Sequence, residues 1–389
     1  PMITQVYWKG SEKIIEITNN EVSKIVVPYA ANVNFFNEGT TTSRTATTVN
    51  TTEIASGSSI LVSAGSITAQ TNGASVITSS GVIAFDDTDD IITISRSGKA
   101  NDVIAYNSRI DEVSGLTDNT SFVRKDEVLV PNTTYTATEW VPFLDDDLDP
   151  YKDYDFDLDT GGPERHPHDP LLSAVTSGVN TGSNVLLGLH KFGSTIRTGA
   201  VWNNGFPDRS RHVEINEDYN HNFSGTKLNA RKLSVNNNSK FAITNSLLVV
   251  TDNVTITSAD DEIRLVGTSQ LVQTHTGGEL VSGSGKLLVD QNSTIASLYR
   301  FNYLSSPVNN IVDETNFSIQ TVLKDGTTPL DATTAIGTIA KDITFVGGYD
   351  GAATDPISIA DYWIYTFMPS SGRVSNWGRK GKAGLIPQT

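Results

Sequence analysis

The chain has 389 residues, of which 37% are hydrophobic and 19% charged, and its formal net charge is −16. This length accommodates two or three domains, and the acidic balance argues against binding to nucleic acid or to anionic lipid, since both favour a basic surface. The absence of cysteine excludes disulfides and thiolate metal sites, and no run of about 18 apolar residues predicts a membrane-spanning helix.

The composition predicts an all-β protein. Thr, Ser, Asn and Gly are abundant, and the Ala-, Leu-, Glu- and Lys-rich tracts that favour helices are nearly missing. Over residues 1–144, strand-like runs such as MITQVYW, KIIEIT and GVIAF recur at intervals of roughly ten residues with polar turns between them. This spacing predicts a β-sandwich.

The order of these runs resembles a lamin-tail domain. That family has an early strand, an "IEI-N" strand, a "DDxIxL" strand, a "D-x-I-x-Y" strand and a closing "S-x-x-R" segment that ends on a strand with Glu-Trp or Trp. The positions that carry the resemblance are Ile3, Glu16, Asn19, Phe85, Asp89, Ile92, Val103, Tyr106, Arg124 and Trp140. The resemblance implies an immunoglobulin-like sandwich over residues 1–144, no catalytic residues and a secreted or surface protein. Trp140 and Phe143 are then expected to be core residues that close the sandwich.

Residues 145–199 are predicted to be an acidic linker and connecting segment. Eight of the fifteen residues 145–159 are Asp, and such a run repels itself and buries little surface. It is therefore either a solvated spacer, which the composition favours, or a loop that binds Ca²⁺ through about six to eight oxygens. The candidate calcium ligands are Asp145, Asp147, Asp149, Asp153, Asp155, Asp157 and Asp159.

Short strand-turn units recur over residues 200–297. Their apolar residues come in pairs at i and i+2: Val213/Ile215, Leu233/Val235, Phe241/Ile243, Leu247/Val249, Val254/Ile256 and Ile263/Leu265. Repeated short strands with tight polar turns predict a β-solenoid in which each rung buries two side chains against its neighbour. A sandwich would give the same alternation; we favour the solenoid, with room for some six to eight short rungs.

Residues 298–389 are again rich in strand-like runs and in aromatic residues, and they predict a further β-sandwich module. From about residue 200 onward the chain resembles a recurrent cassette of surface proteins exported by the type IX secretion system of Bacteroidota. The resemblance rests on W-x-N-G-x-P at 202–207, on YRFNYLSSPV at 299–308, expected to be a strand, and on the later W-x-Y and N-W pairs. The cassette normally continues further, so the resemblance implies a truncated last module and a longer exported chain.

Few residue patterns favour catalysis. His166, His168 and Asp169 have the spacing of a metal-binding His-x-His, but they lie in a Pro-rich linker rather than at the end of a barrel strand. The sequence has neither a G-x-S-x-G elbow nor a Gly-rich loop followed by a helix, so we predict no enzyme. The other histidines are expected to be solvated or hydrogen-bonded locally: His190, His212, His221 and His275.

The aromatic residues of the last module allow two interpretations. By spacing, Tyr299, Phe301 and Tyr303 share one strand face, as do Trp363 and Tyr365, and such a face either packs inward or stacks on sugars.

Taken together, the sequence predicts a non-enzymatic, modular adhesion-type protein, secreted or on the outer cell surface, with secretion or surface-anchoring proteins and glycan surfaces as candidate partners. The alternative is a carbohydrate-binding accessory module of a secreted glycan-degrading enzyme.

Overall fold

Strands dominate the computed structural model of the chain, as the composition predicts. The structure describes residues 1–20, 31–36, 47–69, 71–80, 82, 91–96, 108–111, 118–132, 134–144, 187–199, 201–222, 227–274, 281–291, 300–308, 315–326, 340–368 and 376–387. Within these ranges the single α-helix is one turn, α1 (Ile319–Val322). None of the helices in the same ranges has the length and apolar character needed to cross a bilayer.

The described part of residues 1–144 forms two β-sheets. Their strands are β1 (Met2–Lys9), β2 (Glu12–Thr18), β3 (Ala31–Phe36), β4 (Thr47–Asn50), β5 (Ser59–Ser63), β6 (Ser75–Thr78), β7 (Ile91–Arg96), β8 (Ser108–Asp111), β9 (Thr120–Arg124) and β10 (Trp140–Leu144). The first sheet has the order β10-β9-β1-β2-β5-β6 and the second has the order β4-β3-β7-β8. Most pairs are antiparallel, whereas β5 and β6 run parallel.

The two sheets pack on one apolar core, which confirms the predicted sandwich. Ile3 and Trp140 of the first sheet and Ile92 of the second belong to this core. Phe143 is also buried, but in a second cluster on the other face of the first sheet. The reason is geometric, because residues three apart on an extended strand point to opposite faces. Four positions of the lamin-tail resemblance lie outside the described residues: Phe85, Asp89, Val103 and Tyr106.

A parallel β-solenoid of about four turns follows, as predicted. Its strands are β11 (Thr195–Thr198), β12 (Val201–Trp202), β13 (His212–Ile215), β14 (Tyr219–His221), β15 (Leu228–Ala230), β16 (Lys232–Val235), β17 (Lys240–Thr244), β18 (Leu247–Val250), β19 (Val254–Ile256), β20 (Glu262–Val266), β21 (Gln270–Gln273), β22 (Val281–Ser282) and β23 (Lys286–Val289). They form three sheets, in the orders β12-β11-β13-β16-β19-β22, β14-β17-β20-β23 and β15-β18-β21. The expectation of six to eight rungs was wrong, because one turn uses three strands rather than one.

Side chains in register between successive turns fill the solenoid interior. Val213 lies beside Leu233, which lies beside Val254, and all three are fully buried. The predicted pairs therefore hold, except on β18, where the residues in the core cluster are Leu248 and Val250 rather than Leu247 and Val249. Four apolar residues stand in a row on that strand, so the alternation does not identify which two point inward.

The described part of residues 300–387 consists mainly of short strands, besides the one-turn helix α1, and its pairing does not extend beyond two-stranded ladders. Its strands are β24 (Asn316–Phe317), β25 (Lys324–Asp325), β26 (Lys341–Asp342), β27 (Thr344–Val346), β28 (Ser358–Ala360), β29 (Tyr365–Met368), β30 (Asn376–Arg379) and β31 (Ile386–Pro387). The ladders are β24-β31, β25-β26, β27-β28 and β29-β30. Residues 301–306 form no strand, and Phe301 and Tyr303 are exposed.

Candidate functional site

The candidate metal ligands of the acidic run lie outside the described residues: Asp145, Asp147, Asp149, Asp153, Asp155, Asp157 and Asp159. The same is true of the His-x-His pattern at 166–169. In the part of the chain that is described, no group of three or more His, Asp or Glu side chains is arranged to hold a metal ion. The calcium site therefore remains a prediction.

Two other features of the described chain are candidates for function. The first is a polar junction between the sandwich and the solenoid, formed by Glu16, Asp126, His190, Arg211 and Arg231. The second is an aromatic surface on the last segment, formed by Tyr349, Tyr362 and Trp363.

Asp126 is the centre of the polar junction. It follows β9 of the sandwich and is fully buried. One carboxylate oxygen accepts a hydrogen bond from Arg231 Nη2 at 2.8 Å, and the other accepts from Arg211 Nε at 3.3 Å and from the backbone N–H of His212 at 2.8 Å. A sandwich carboxylate thus lies between two guanidinium groups of the solenoid.

Hydrogen bonds within the first turn of the solenoid hold its backbone and Arg211 next to Asp126. Asn204 Nδ2 donates to the carbonyls of residues 192–194, and the backbone N–H of Gly193 donates to the Asp126 carbonyl at 2.7 Å. Arg211 Nη2 donates to the carbonyls of Gly193 and Asn204 at 3.0 and 2.8 Å. Asn204 belongs to the W-x-N-G-x-P motif, so the motif that supported the cassette resemblance builds the end of the solenoid next to the sandwich.

The electrostatics of the junction depend on ion pairing. Burial lowers the pKa of Arg211, while the charges of Asp208 and Asp126 act in the opposite direction. Arg231 is also buried and makes a second ion pair with Glu127 at 3.1 Å. Because unpaired buried charges are costly, the two guanidinium groups depend on their ion pairs with Asp126.

Glu16 connects the outer face of the first sheet to the segment that leads into the solenoid. Its carboxylate accepts hydrogen bonds from the Thr4 hydroxyl, from the Thr18 hydroxyl at 3.4 Å and from the backbone N–H of Gly188 at 2.6 Å. Glu16 is almost completely buried, and burial raises its pKa from 4.5 to about 7 in spite of these hydrogen bonds. It is therefore a carboxyl group that titrates near neutral pH inside the junction.

His190 does not follow the expectation that it is solvated or hydrogen-bonded locally. It is 2% exposed and packs edge-on against Phe192, with ring centroids 4.8 Å apart. Its backbone N–H donates to Ser59 Oγ at 3.3 Å, but neither ring nitrogen has a hydrogen-bond partner among the described residues. Burial, together with the charges of Arg211 and Arg124, lowers the pKa of His190 well below its usual value, so the imidazole is neutral.

The aromatic surface lies at the β27-β28 ladder. Tyr349 follows β27, and Tyr362 and Trp363 lie in the 3₁₀ turn Asp361–Trp363 that follows β28. Tyr349 is 64% exposed and Trp363 is 48% exposed. Sequence spacing paired Trp363 with Tyr365, whereas the rings that touch Trp363 are those of Tyr362 and Tyr349. Sequence alternation could not identify Tyr349, because it comes from a separate loop.

Comparison with family models, with curated proteins and with solved structures finds no match to this chain.

Proposed function

We propose that this chain is a non-enzymatic, modular adhesion-type segment of a longer protein that is exported by the type IX secretion system and acts on the outer cell surface or outside the cell. The observation that carries the proposal is the position of Asp126 of the sandwich between Arg211 and Arg231 of the solenoid. These contacts support a role in which the two modules act as one stiff arm.

A stiff arm is favoured because the joint is buried and charged. Asp126 is the shared ion-pair partner of Arg211 and Arg231 across the joint, and removing one partner of such a buried pair typically costs about 3–5 kcal/mol, because the other charge is left buried and uncompensated. The charged groups of the junction face one another rather than solvent, which supports a structural rather than a catalytic role. A rigid arm suits a protein that carries a binding surface away from a cell.

The surface location and the export route rest on the two resemblances. Ile3, Ile92 and Trp140, three of the positions shared with lamin-tail domains, lie in the sandwich core. The W-x-N-G-x-P motif of the secretion cassette caps the solenoid. Both observations agree with the proposed modules, and secretion or surface-anchoring proteins are the partners that this proposal implies.

The stiffness of the arm is tested by replacing Asp126 with Asn in the full chain. This substitution keeps the size of the side chain but removes the charge that both guanidinium groups need. Small-angle X-ray scattering should then show a larger radius of gyration, while circular dichroism retains the β signal. The matched control is Glu53→Gln, which removes one carboxylate charge at an exposed position of the sandwich outside the junction. An unchanged scattering curve for Asp126→Asn would contradict the stiff arm.

The adhesion function is tested on cells that produce the whole protein. Deleting the segment that corresponds to residues 1–389 should lower attachment to a surface under flow, with the amount of the remaining protein on the cell unchanged. Equal attachment with and without the segment would exclude adhesion as its role.

The second candidate function is that of a carbohydrate-binding accessory module of a secreted glycan-degrading enzyme. The exposure of Tyr349 and Trp363 favours it, because exposed aromatic rings in contact are a typical surface for sugar rings. Retention of the chain on an insoluble polysaccharide, and its loss on replacing these two residues, would support this candidate.

A further inference from the structure

We propose that the aromatic surface, together with Arg379 and Asp361, binds an acidic polysaccharide built of uronic acid residues. This inference deepens the adhesion-type function by naming its ligand class, and it rests on that function. Three contacting rings remain exposed here, although aromatic side chains are more often buried in a core. The ring centroids of Tyr349 and Tyr362 are 4.8 Å apart, and those of Tyr362 and Trp363 are also 4.8 Å apart.

Hydrogen bonds fix the rings in this arrangement. Trp363 Nε1 donates to the carbonyl of Tyr349 at 2.8 Å, so the indole ring is tied to the neighbouring loop. That loop is held to β28, because Ala352 and Ser358 exchange backbone hydrogen bonds at 3.0 and 2.9 Å. Gly351 permits the close approach, since a Cβ at this position would lie 2.2 Å from the Ser358 carbonyl oxygen. A surface that is ordered before binding loses less conformational freedom when a ligand arrives.

A cation lies beside the rings. The guanidinium carbon of Arg379 is 5.3 Å from the Tyr362 ring centroid, and Arg379 Nη2 is 3.2 Å from an Asp361 carboxylate oxygen. Asp361 also accepts a hydrogen bond from the backbone N–H of Lys382. The Arg379 side chain is 52% exposed, so the guanidinium group has donors available to an arriving carboxylate.

The charge of this part of the chain differs from that of the rest. Arg379, Lys380 and Lys382 follow one another beside the 3₁₀ turn of the aromatic surface, where the backbone N–H groups of Lys380 and Lys382 donate to Ile364 and Asp361. With Asp350 and Asp361 as the neighbouring carboxylates, three basic residues leave a small excess of positive charge in a chain whose net charge is −16, and this excess favours an anionic ligand. A uronic acid residue matches both halves of the site, because its C–H face stacks on an aromatic ring and its carboxylate pairs with Arg379.

The test uses the full chain with two soluble probes, oligogalacturonate and the same oligomer in its methyl-esterified form, which keeps the sugar rings but has no charge. Isothermal titration calorimetry should show binding of oligogalacturonate and at least about tenfold weaker binding of the ester, since a charge-assisted hydrogen bond contributes about 1.5–3 kcal/mol. Trp363→Ala should abolish measurable binding of both probes. Arg379→Gln should lower the affinity for the acid to that for the ester.

The control is Phe301→Ala, which removes an aromatic residue that is 61% exposed outside the site and should leave both affinities unchanged. Near-ultraviolet circular dichroism verifies that the variants remain folded. The inference is overturned if the chain binds neither probe, if it binds the ester as well as the acid, or if folded Trp363→Ala binds normally. None of these outcomes affects the scattering test of the junction, so failure of the proposed ligand can be distinguished from failure of the proposed stiff arm.

Discussion

Replacing Glu16 with Gln is expected to stabilise the sandwich at alkaline pH and to change its stability little at acid pH. Burial raises the pKa of Glu16 from 4.5 to about 7. Because the pKa in the folded state lies above the unfolded value, the protonated carboxyl contributes stability that is fully present below about pH 4.5 and is lost as the pH rises to about 7. At about 1.4 kcal/mol per pH unit, this difference corresponds to about 3 kcal/mol.

The assay is thermal unfolding of the full chain by calorimetry at pH 5 and pH 8. The amide of Glu16→Gln keeps an oxygen for the N–H of Gly188 but carries no charge. About 1 kcal/mol moves the Tm of a domain of this size by roughly 4 °C, so at pH 8 the sandwich transition of the variant should lie on the order of 10 °C above that of the wild type. At pH 5 the two transitions should nearly coincide. Glu53→Gln, at an exposed position, is the control and should leave the pH dependence unchanged.

The reasoning is refuted if the difference between Glu16→Gln and the wild type is the same at both pH values. A constant difference would mean that the hydrogen bonds of the carboxylate outweigh its desolvation and that Glu16 stays ionised in the folded protein.

Further substitutions test the solenoid, the junction and the acidic run. Phe241→Ala empties part of the solenoid core and should lower the free energy of unfolding in urea by about 3–5 kcal/mol; a loss below about 1 kcal/mol would contradict the observed packing. Gly283 has φ +96°, and a Cβ there would lie 2.0 Å from a carbonyl oxygen, so Gly283→Ala should lower the Tm, whereas Gly347→Ala, with nothing within 4 Å, should not. His190→Leu removes a buried imidazole whose pKa is lowered in the folded state; the variant should unfold at a higher temperature than the wild type, with a gap that widens as the pH falls below about 6.5, and equal pH profiles would contradict this. If the acidic run 145–159 binds Ca²⁺, calorimetry should record a heat of binding that a chelator abolishes; no heat would leave the run as a spacer.

The repeated elements could be predicted from the sequence because their signal is local. Pairs such as Val213 and Ile215 alternate with polar residues, and this alternation identifies both the strand and its buried face. On β18 the sequence predicted the wrong pair of inward-facing residues, because every residue from Leu247 to Val250 is apolar. The number of turns was overestimated because periodicity along one strand does not reveal how many strands close one turn.

The polar junction could not be predicted, because its members are far apart in the chain. Asp126 lies 85 residues from Arg211 and 105 residues from Arg231, and its own neighbours Lys125 and Glu127 are charged residues that do not indicate a buried carboxylate. Asn204 lies in the W-x-N-G-x-P motif, which drew attention to this segment only through the cassette resemblance and did not indicate its contacts with residues 192–194. The aromatic surface was predicted in composition but not in geometry, because Tyr349 joins it from a separate loop.

The stacked turns of the solenoid also fix the distance between its two ends. Val213, Leu233 and Val254 are equivalent positions separated by 20 and 21 residues, and each added turn lengthens the stack by about 4.8 Å. The same number of residues in an extended linker would span roughly 70 Å. The solenoid therefore spans a shorter distance per residue than a linker would, but it holds that distance rigidly. Duplication of a single turn would lengthen the stack by one small, defined step and leave both of its ends unchanged.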